Sequence, residues 1–360
     1  MNESTKPPFS LPSRGSLQAT MEILVACSLM VLGACGNALV FIAFWKDKSL
    51  RTTPNVFVVN LAVTDFLFCV VVLPLTSATF IQGEWKLGLH VCNLQALMFG
   101  TNLNATLVTM TTISINRFIL IRHRIKYKTV YTKRNVTFMI FGIWCYAIIV
   151  ASRPFYDLGK YVFNPNTAFC SIDKKPDSAS RISRFVAYFT LYANIIIVMR
   201  CYVGIYRAVR QHRRQIKCNT GHNPENTTGN TTGHNTGHRT GHRTGHSSQN
   251  RGLRKVQVVG EDVHIAKTLF VVICLFGICW FPTAIAGIVV VFGTKIPGLV
   301  QEMLMFTVCL ASVVNPLVYA VRNRRFRRTF KRIIELQFST VADRPALRIS
   351  VRPEHVQTTL

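Results

Sequence analysis

The run Cys92-Asn93-Leu94-Gln95-Ala96-Leu97-Met98-Phe99-Gly100-Thr101-Asn102-Leu103-Asn104-Ala105-Thr106-Leu107-Val108-Thr109-Met110-Thr111-Thr112-Ile113-Ser114-Ile115-Asn116-Arg117-Phe118 decides the fold. Wound as a helix, it carries Cys92 and Arg117 roughly 37 Å apart. A bilayer's hydrocarbon core is ~30 Å thick, so the two residues reach opposite water boundaries. No charge lies between them, but Asn102, Asn104, Thr106, Thr109, Thr111 and Thr112 do. Lipid offers such groups no partner, so this helix is expected inside a bundle.

Working outward, six further apolar blocks accompany it. The expected spans are residues 21–45, 55–79, 89–122, 136–154, 182–209, 263–292 and 299–321. The class is therefore an all-α membrane protein, a seven-transmembrane helix bundle. A composition of 49% hydrophobic and 16% charged residues agrees. The net charge of +27 would suit nucleic acid, but the cations crowd beside the apolar blocks, which suits an anionic inner leaflet instead. Lys46, Lys48 and Arg51 follow the first span, and Arg122, Arg124, Lys126, Lys128, Lys133 and Arg134 the third. Arg207, Arg210, Arg213, Arg214 and Lys217 follow the fifth, and Arg322 to Arg332 the seventh. The alternate connections are sparse and mixed in sign. The positive-inside rule then puts the N-terminus outside and the C-terminus inside. Residues 1–20 form a polar external tail without the apolar core of a cleavable signal, so the first span is expected to act as signal anchor.

Three segments lie apart from the spans. Asn2-Glu3-Ser4 is a glycosylation sequon in that external tail. The third inner loop, residues 210–262, holds a low-complexity insert of NTGH and RTGH repeats with five histidines in 221–246, read as repeat expansion rather than a metal site. Residues 322–360 begin with a short amphipathic helix over 323–336, its Phe326, Phe330, Ile333 and Ile334 at helical spacing and expected on the inner leaflet. Eight of eleven cysteines sit in apolar blocks as small hydrophobes, and Cys92 and Cys170, at span ends on the oxidising side, are expected to pair.

Asp65 stands mid-span, where a carboxylate costs about 2.5–3.5 kcal/mol. Polar groups in neighbouring spans, Asn37, Asn102, Thr106, Ser312 and Asn315, are its expected partners. A carboxylate among neutral oxygens suits a hard monovalent cation, here sodium; the alternative is a protonated carboxyl with a packing role. Pro74, Pro154, Pro282 and Pro316 lie inside the expected spans as candidate kinks.

Taken in order, these residues resemble the rhodopsin-like, or class A, family of G-protein-coupled receptors. The resemblance runs from about Gly36 to Phe330, leaving out the insert. It rests on Gly36-Asn37, Leu61-Ala62-Val63-Thr64-Asp65, Trp85-Lys86-Leu87-Gly88, the Cys92 and Cys170 pair and Asn116-Arg117-Phe118. It continues through Trp144, Phe276-Gly277-Ile278-Cys279-Trp280-Phe281-Pro282 and Asn315-Pro316-Leu317-Val318-Tyr319. The resemblance implies roles. Arg117 would hold the inactive state, with Asp262 as its ionic partner. Trp280 would couple ligand contact to rotation of span six, while Asn315, Pro316, Tyr319 and Tyr202 rearrange. Three positions depart from the pattern: Asn116 replaces the acidic residue before the arginine, Phe118 the tyrosine after it, and Asn194 the span-five proline. The loss of the carboxylate at Asn116 would raise basal activity. The stretch Asn116-Arg117-Phe118 through Arg122-His123-Arg124-Ile125-Lys126-Tyr127 to Val130-Tyr131 looks like the melatonin-receptor branch with its invertebrate orphan relatives.

The resemblance also implies a ligand pocket drawing on Phe99, Gly100, Leu103, Val186, Thr190, Trp280, Thr283 and Met305. Phe99 stands where amine receptors carry Asp, and the set is mostly apolar, so a neutral or lipid-like ligand is expected. Arg153 and Arg184 are expected to reach headgroups or pair with Asp157 rather than bind a ligand carboxylate. A heterotrimeric G protein, membrane lipids, an arrestin and, through Thr358-Thr359-Leu360, a PDZ-domain protein are the expected partners at the plasma membrane. A transporter or channel is the rival reading, although no inverted halves are evident. No catalytic constellation argues for an enzyme.

Overall fold

The computed structural model describes residues 9–173, 178–220, 245–291 and 294–342. The sequon at Asn2, the repeats of 221–244 and the C-terminal Thr358-Thr359-Leu360 lie outside the described residues. Seven long helices run through the chain: α1 Ser16–Lys46, α2 Thr53–Gln82, α3 Gly88–Arg122, α4 Lys133–Ala151, α5 Ser178–Thr220, α6 Gly245–Val291 and α7 Gly298–Arg322. An eighth, α8, spans Arg324–Ala342. A hairpin of β1 (Tyr161–Asn164) and β2 (Phe169–Ile172) joins α4 to α5 in antiparallel register, Phe163 opposite Cys170.

Among the described residues six of these helices are long and apolar enough to cross a membrane, and α3 is the long helix that is not. The reason is its burden of amides and hydroxyls. It packs against α2, α4, α5 and α6 at once, so those groups never meet lipid. Most of them turn back on their own helix. Asn102 donates to Met98 O at 2.9 Å, Asn104 to Gly100 O at 2.8 Å, Thr109 to Ala105 O at 2.6 Å and Thr112 to Val108 O at 2.8 Å. Each bond satisfies the side chain without a partner helix. Others bridge: Trp144 Nε1 donates to Asn60 Oδ1 at 3.0 Å and Asn60 Nδ2 to Thr109 Oγ1 at 2.8 Å, tying α4, α2 and α3 together. Outward faces carry Leu24, Val31, Phe138, Phe141, Phe189 and Ile196, exposed as a lipid-facing belt requires.

Helix ends differ from the sequence expectation in instructive ways. α5 and α6 run on through 210–220 and 245–262, inside the stretch expected as loop, because arginine, lysine and glutamine sustain a helix after the apolar pattern stops. Pro154 lies outside α4: the helix ends at Ala151 and a 3₁₀ turn, Arg153–Tyr156, takes the proline in its first turn. Pro74 is preceded by a π-helical turn, Phe68–Val72, which absorbs its missing N–H within α2. Pro282 and Pro316 are interior, as expected.

At one end, Cys92 and Cys170 form the expected disulfide and hold β2 against α3. Gln95 reinforces it, accepting from Cys170 N at 2.9 Å and donating to Thr76 Oγ1 at 3.1 Å. At the other end α8 turns its apolar face onto the protein. Phe326, Phe330 and Ile333 are buried beside Tyr319 and Leu50, whereas Ile334 is 43% exposed. The expectation that all four meet lipid is corrected for the first three; each gains about 1.5–3 kcal/mol from burial in the bundle. Thr329 Oγ1 donates to Asp47 Oδ2 at 2.7 Å, pinning α8 to the turn after α1.

Candidate functional site

Inside the bundle a narrow cavity is lined by Thr64, Asp65, Phe68, Phe99, Asn102, Leu103, Thr106, Phe276, Trp280, Val308, Ala311 and Ser312. Two sets of sequence-derived candidates meet there. Phe99, Leu103 and Trp280 come from the ligand set; Asp65, Asn102, Thr106 and Ser312 come from the ion set. Their shared cavity was not legible from the spacing of either set.

Aromatic rings form one side. Trp280 stacks on Phe276 at 5.7 Å and on Phe99 at 6.3 Å between centroids. Phe99 in turn leans on Phe169 of β2 at 5.7 Å. The hairpin therefore touches Trp280 through a single intervening ring. Polar groups form the floor. Asn315 Nδ2 donates to Asp65 Oδ2 at 2.6 Å, a charge-assisted bond when the carboxyl is ionised. Thr106 donates to Thr64 at 3.0 Å, and Asn37 Nδ2 to Ser312 O at 3.0 Å. Asn102 Oδ1 is buried and has no hydrogen-bond partner among the described residues. An orphaned amide oxygen beside one carboxylate and two hydroxyls fits a hard monovalent cation.

The remaining ligand-set residues do not converge on this cavity. Gly100 faces α4, where an added Cβ would stand 3.2 Å from Ala151 Cβ. Thr190 is spent between helices: its hydroxyl shares a hydrogen bond with Tyr146 OH at 3.1 Å, and its carbonyl accepts from Asn194 at 2.7 Å. Thr283 donates to Leu304 O of α7 at 3.3 Å. Met305 lines a neighbouring cavity, and Val186, half-buried on α5, lines neither. Helix phase separates them, because a resemblance in sequence does not say which way a side chain points.

At the far end of α3, Arg117 is 2% exposed. Tyr202 of α5 lies within its electrostatic reach and packs on Phe270 of α6 at 4.7 Å. The side chain of Asp262, the expected partner of Arg117, lies outside the described residues. Tyr319 is buried and rests on Phe326 of α8 at 5.8 Å. The three departures from the receptor pattern each have a place. Asn116 Nδ2 donates to Tyr127 OH at 3.4 Å, in a short helix Arg124–Val130 that continues from α3. Phe118 lies against Gly204 of α5, where a Cβ would come within 2.5 Å of its ring. Asn194 bonds across to α3, accepting from Thr111 Oγ1 at 2.5 Å, so a side-chain bridge stands where a proline would have bent α5.

Arg153 corrects its expectation. It neither reaches headgroups nor pairs with Asp157, but is buried and donates to Ser183 O at 2.9 Å, locking α4 to α5. Burial lowers its guanidinium from the ordinary value, against the opposing pull of Tyr161 and Tyr146.

This architecture and the order of its motifs define a class. Residues 36–319 match the family of 7 transmembrane receptors (rhodopsin family), and the chain belongs to that family. Among curated relatives it is similar to the melatonin receptor type 1A of Mus musculus, 28% identical over 328 residues, covering 90% of this chain and 82% of that one. It is also similar to the alpha-1D adrenergic receptor of Mus musculus, 28% identical over 356 residues, covering 91% of this chain and 62% of that one. The likeness to melatonin receptors read at residues 116–131 thus extends along most of the chain. The crystal structure of squid rhodopsin superposes with a TM-score of 0.75 at 21% identity, covering 93% of each chain, which shows the fold. Family membership leaves the transporter reading without support.

Proposed function

We propose that the chain is a plasma-membrane receptor, N-terminus outside, that binds a neutral or lipid-like small molecule and activates a heterotrimeric G protein. The observation that carries this reading is the cavity in which Phe99 stacks on Trp280 one layer above Asp65. A ligand that displaces Phe99 or Trp280 works on α6 just below Pro282, where the backbone lacks one hydrogen bond and turns most easily. It acts only by its difference in affinity for two states. The relatives' names point to an indole, melatonin, and to adrenergic amines. Phe99 in the cavity wall favours the neutral indole over the cation.

A sodium ion held by Asp65 with Asn102, Thr106, Ser312 and Asn315 is the allosteric cofactor of this reading. It would add positive charge beneath Trp280 and favour the state in which the floor is closed. Arrestin, a PDZ-domain protein at the C-terminus, glycosylation at Asn2 and inner-leaflet lipids at α8 belong to the same proposal.

The test is guanine-nucleotide exchange on purified heterotrimeric G protein by the receptor in lipid nanodiscs, screened with neutral indoles, fatty acids and small lipids. The expected result is saturable exchange with at least one neutral compound, lost in Trp280→Ala. Ligand-coupled uptake or current with no exchange would instead indicate a transporter or channel.

A further inference from the structure

Arg153 belongs to neither the ligand set nor the ion set. It stands in the turn after α4, 8% exposed, and meets Ser183 of α5, which is 0% exposed. Its Nη1 donates to Ser183 O at 2.9 Å, so the two residues touch. That bond uses one N–H of the guanidinium. Arg153 Nε and Ser183 Oγ are also buried, and neither has a hydrogen-bond partner among the described residues. Buried polar groups are nearly always paired. Two such donors on contacting residues call for an acceptor from outside the chain.

The charge is matched no better than the donors. Arginine keeps its proton in proteins, so burial leaves a full positive charge to be balanced. Among the described residues, the groups whose fields favour that charge are Tyr161 of β1 and Tyr146 of α4. Both are phenols, not carboxylates. Burial pushes Tyr161 up to about 12, so it is neutral at physiological pH, and its hydroxyl donates to Ala151 O. The Tyr146 hydroxyl is shared with Thr190 at 3.1 Å. Asp157 is exposed, and Arg184, next to Ser183 along α5, donates to Asp173 O at 3.5 Å. No carboxylate among the described residues forms an ion pair with Arg153.

The acceptor must therefore carry negative charge, take an N–H and an O–H together, and fit where both residues are almost wholly covered. A carboxylate or phosphate on an organic stem fails the last condition, because Arg153 and Ser183 leave it no open face. A halide meets all three: it is monatomic and accepts from several donors without a fixed direction. We propose that Arg153 and Ser183 hold a halide, chloride in physiological salt, which bridges the outer ends of α4 and α5. The site shares no residue with the cavity at Trp280 and does not rest on the ligand assigned there.

The probe is chloride itself, with bromide as its close match and gluconate as an organic anion too large to enter. Sodium is held constant, so the groups around Asp65 see no change. The readout is the thermal unfolding midpoint of the full chain in zwitterionic nanodiscs. Chloride and bromide are expected to raise the midpoint saturably over gluconate, half-maximally on the order of 10 mM. Ser183→Ala removes one donor and keeps the backbone carbonyl that Arg153 binds, so it is expected to fold and to weaken chloride about tenfold. Arg153→Gln is expected to abolish the response; should it not fold, Ser183→Ala decides alone. A midpoint equal in chloride and gluconate would overturn the proposal and put a water between the two donors. A rise that does not saturate by about 0.5 M, or one undiminished in Ser183→Ala, would overturn it in favour of a general salt effect.

Discussion

Two single residues shape the packing around the Arg117 end of α3, one on that helix and one on α5. Asn116 donates an amide to Tyr127 where the receptor pattern has a carboxylate beside Arg117, and its Oδ1 is buried with no hydrogen-bond partner among the described residues. Asn116→Asp places a negative charge next to Arg117, worth about 1.5–3 kcal/mol toward the closed state as a charge-assisted bond. Basal nucleotide exchange is expected to fall roughly tenfold on that account, measured on purified G protein without ligand. Unchanged exchange would show that the asparagine is not what sets basal activity. Gly204 is the second residue. Its missing Cβ admits the Phe118 ring, so Gly204→Ala must push α3 and α5 apart at this level. Overpacking of this kind costs about 1–3 kcal/mol, to be read as a lowered thermal midpoint. Phe118→Ala in the same background should return part of the loss. Asn116 and Phe118 were visible in the sequence as departures. What they touch was not, since neither Tyr127 nor Gly204 stands out there as a partner.

Among the elements, α8 shows how much the chain's pattern does and does not say. Its helical spacing of Phe326, Phe330, Ile333 and Ile334 announces an amphipathic helix, but a lipid surface and a protein groove ask for the same pattern. The structure chooses the groove for three of the four, through Tyr319, Leu50 and the Thr329–Asp47 bond. Hydrogen bonds from Ser49 and then Thr329 hold the Asp47 carboxyl below its ordinary value of 3.8. Its contribution to docking is therefore complete above that ordinary value and is lost as pH falls through the lowered one. Hydrogen exchange over residues 324–335 is expected to stay slow from neutral pH down to that point and then to rise. Thr329→Val should bring the rise to higher pH, because one of the bonds depressing Asp47 is gone. An exchange profile indifferent to both would mean that apolar burial alone holds α8. The central helix was read correctly for a related reason: α3 is too polar for lipid, so its burial followed from composition, while the back-bonds that satisfy Asn102, Asn104, Thr109 and Thr112 are local and needed no tertiary knowledge.

For the whole molecule, the order of the long helices and the Cys92–Cys170 bridge follow from six apolar lengths, one long polar-studded stretch, charge between blocks and two cysteines at span ends. The site did not follow so far. Depth along a helix can be counted from sequence, but the direction of a side chain depends on how each helix is rotated and bent, so the sequence could not show that Phe68, Phe276 and Ala311 share a cavity with Phe99, Leu103 and Trp280. What emerges is one cavity with aromatic rings above and Asp65 below, on the line from the hairpin to Arg117. The most direct test of that coupling is basal nucleotide exchange by the reconstituted receptor in sodium and in potassium, for the parent chain and for Asp65→Asn. The account predicts that replacing sodium raises exchange by the parent about fivefold or more and leaves Asp65→Asn indifferent to the salt. Exchange that is equal in both salts for the parent, or that stays sodium-sensitive without the carboxylate, would contradict it.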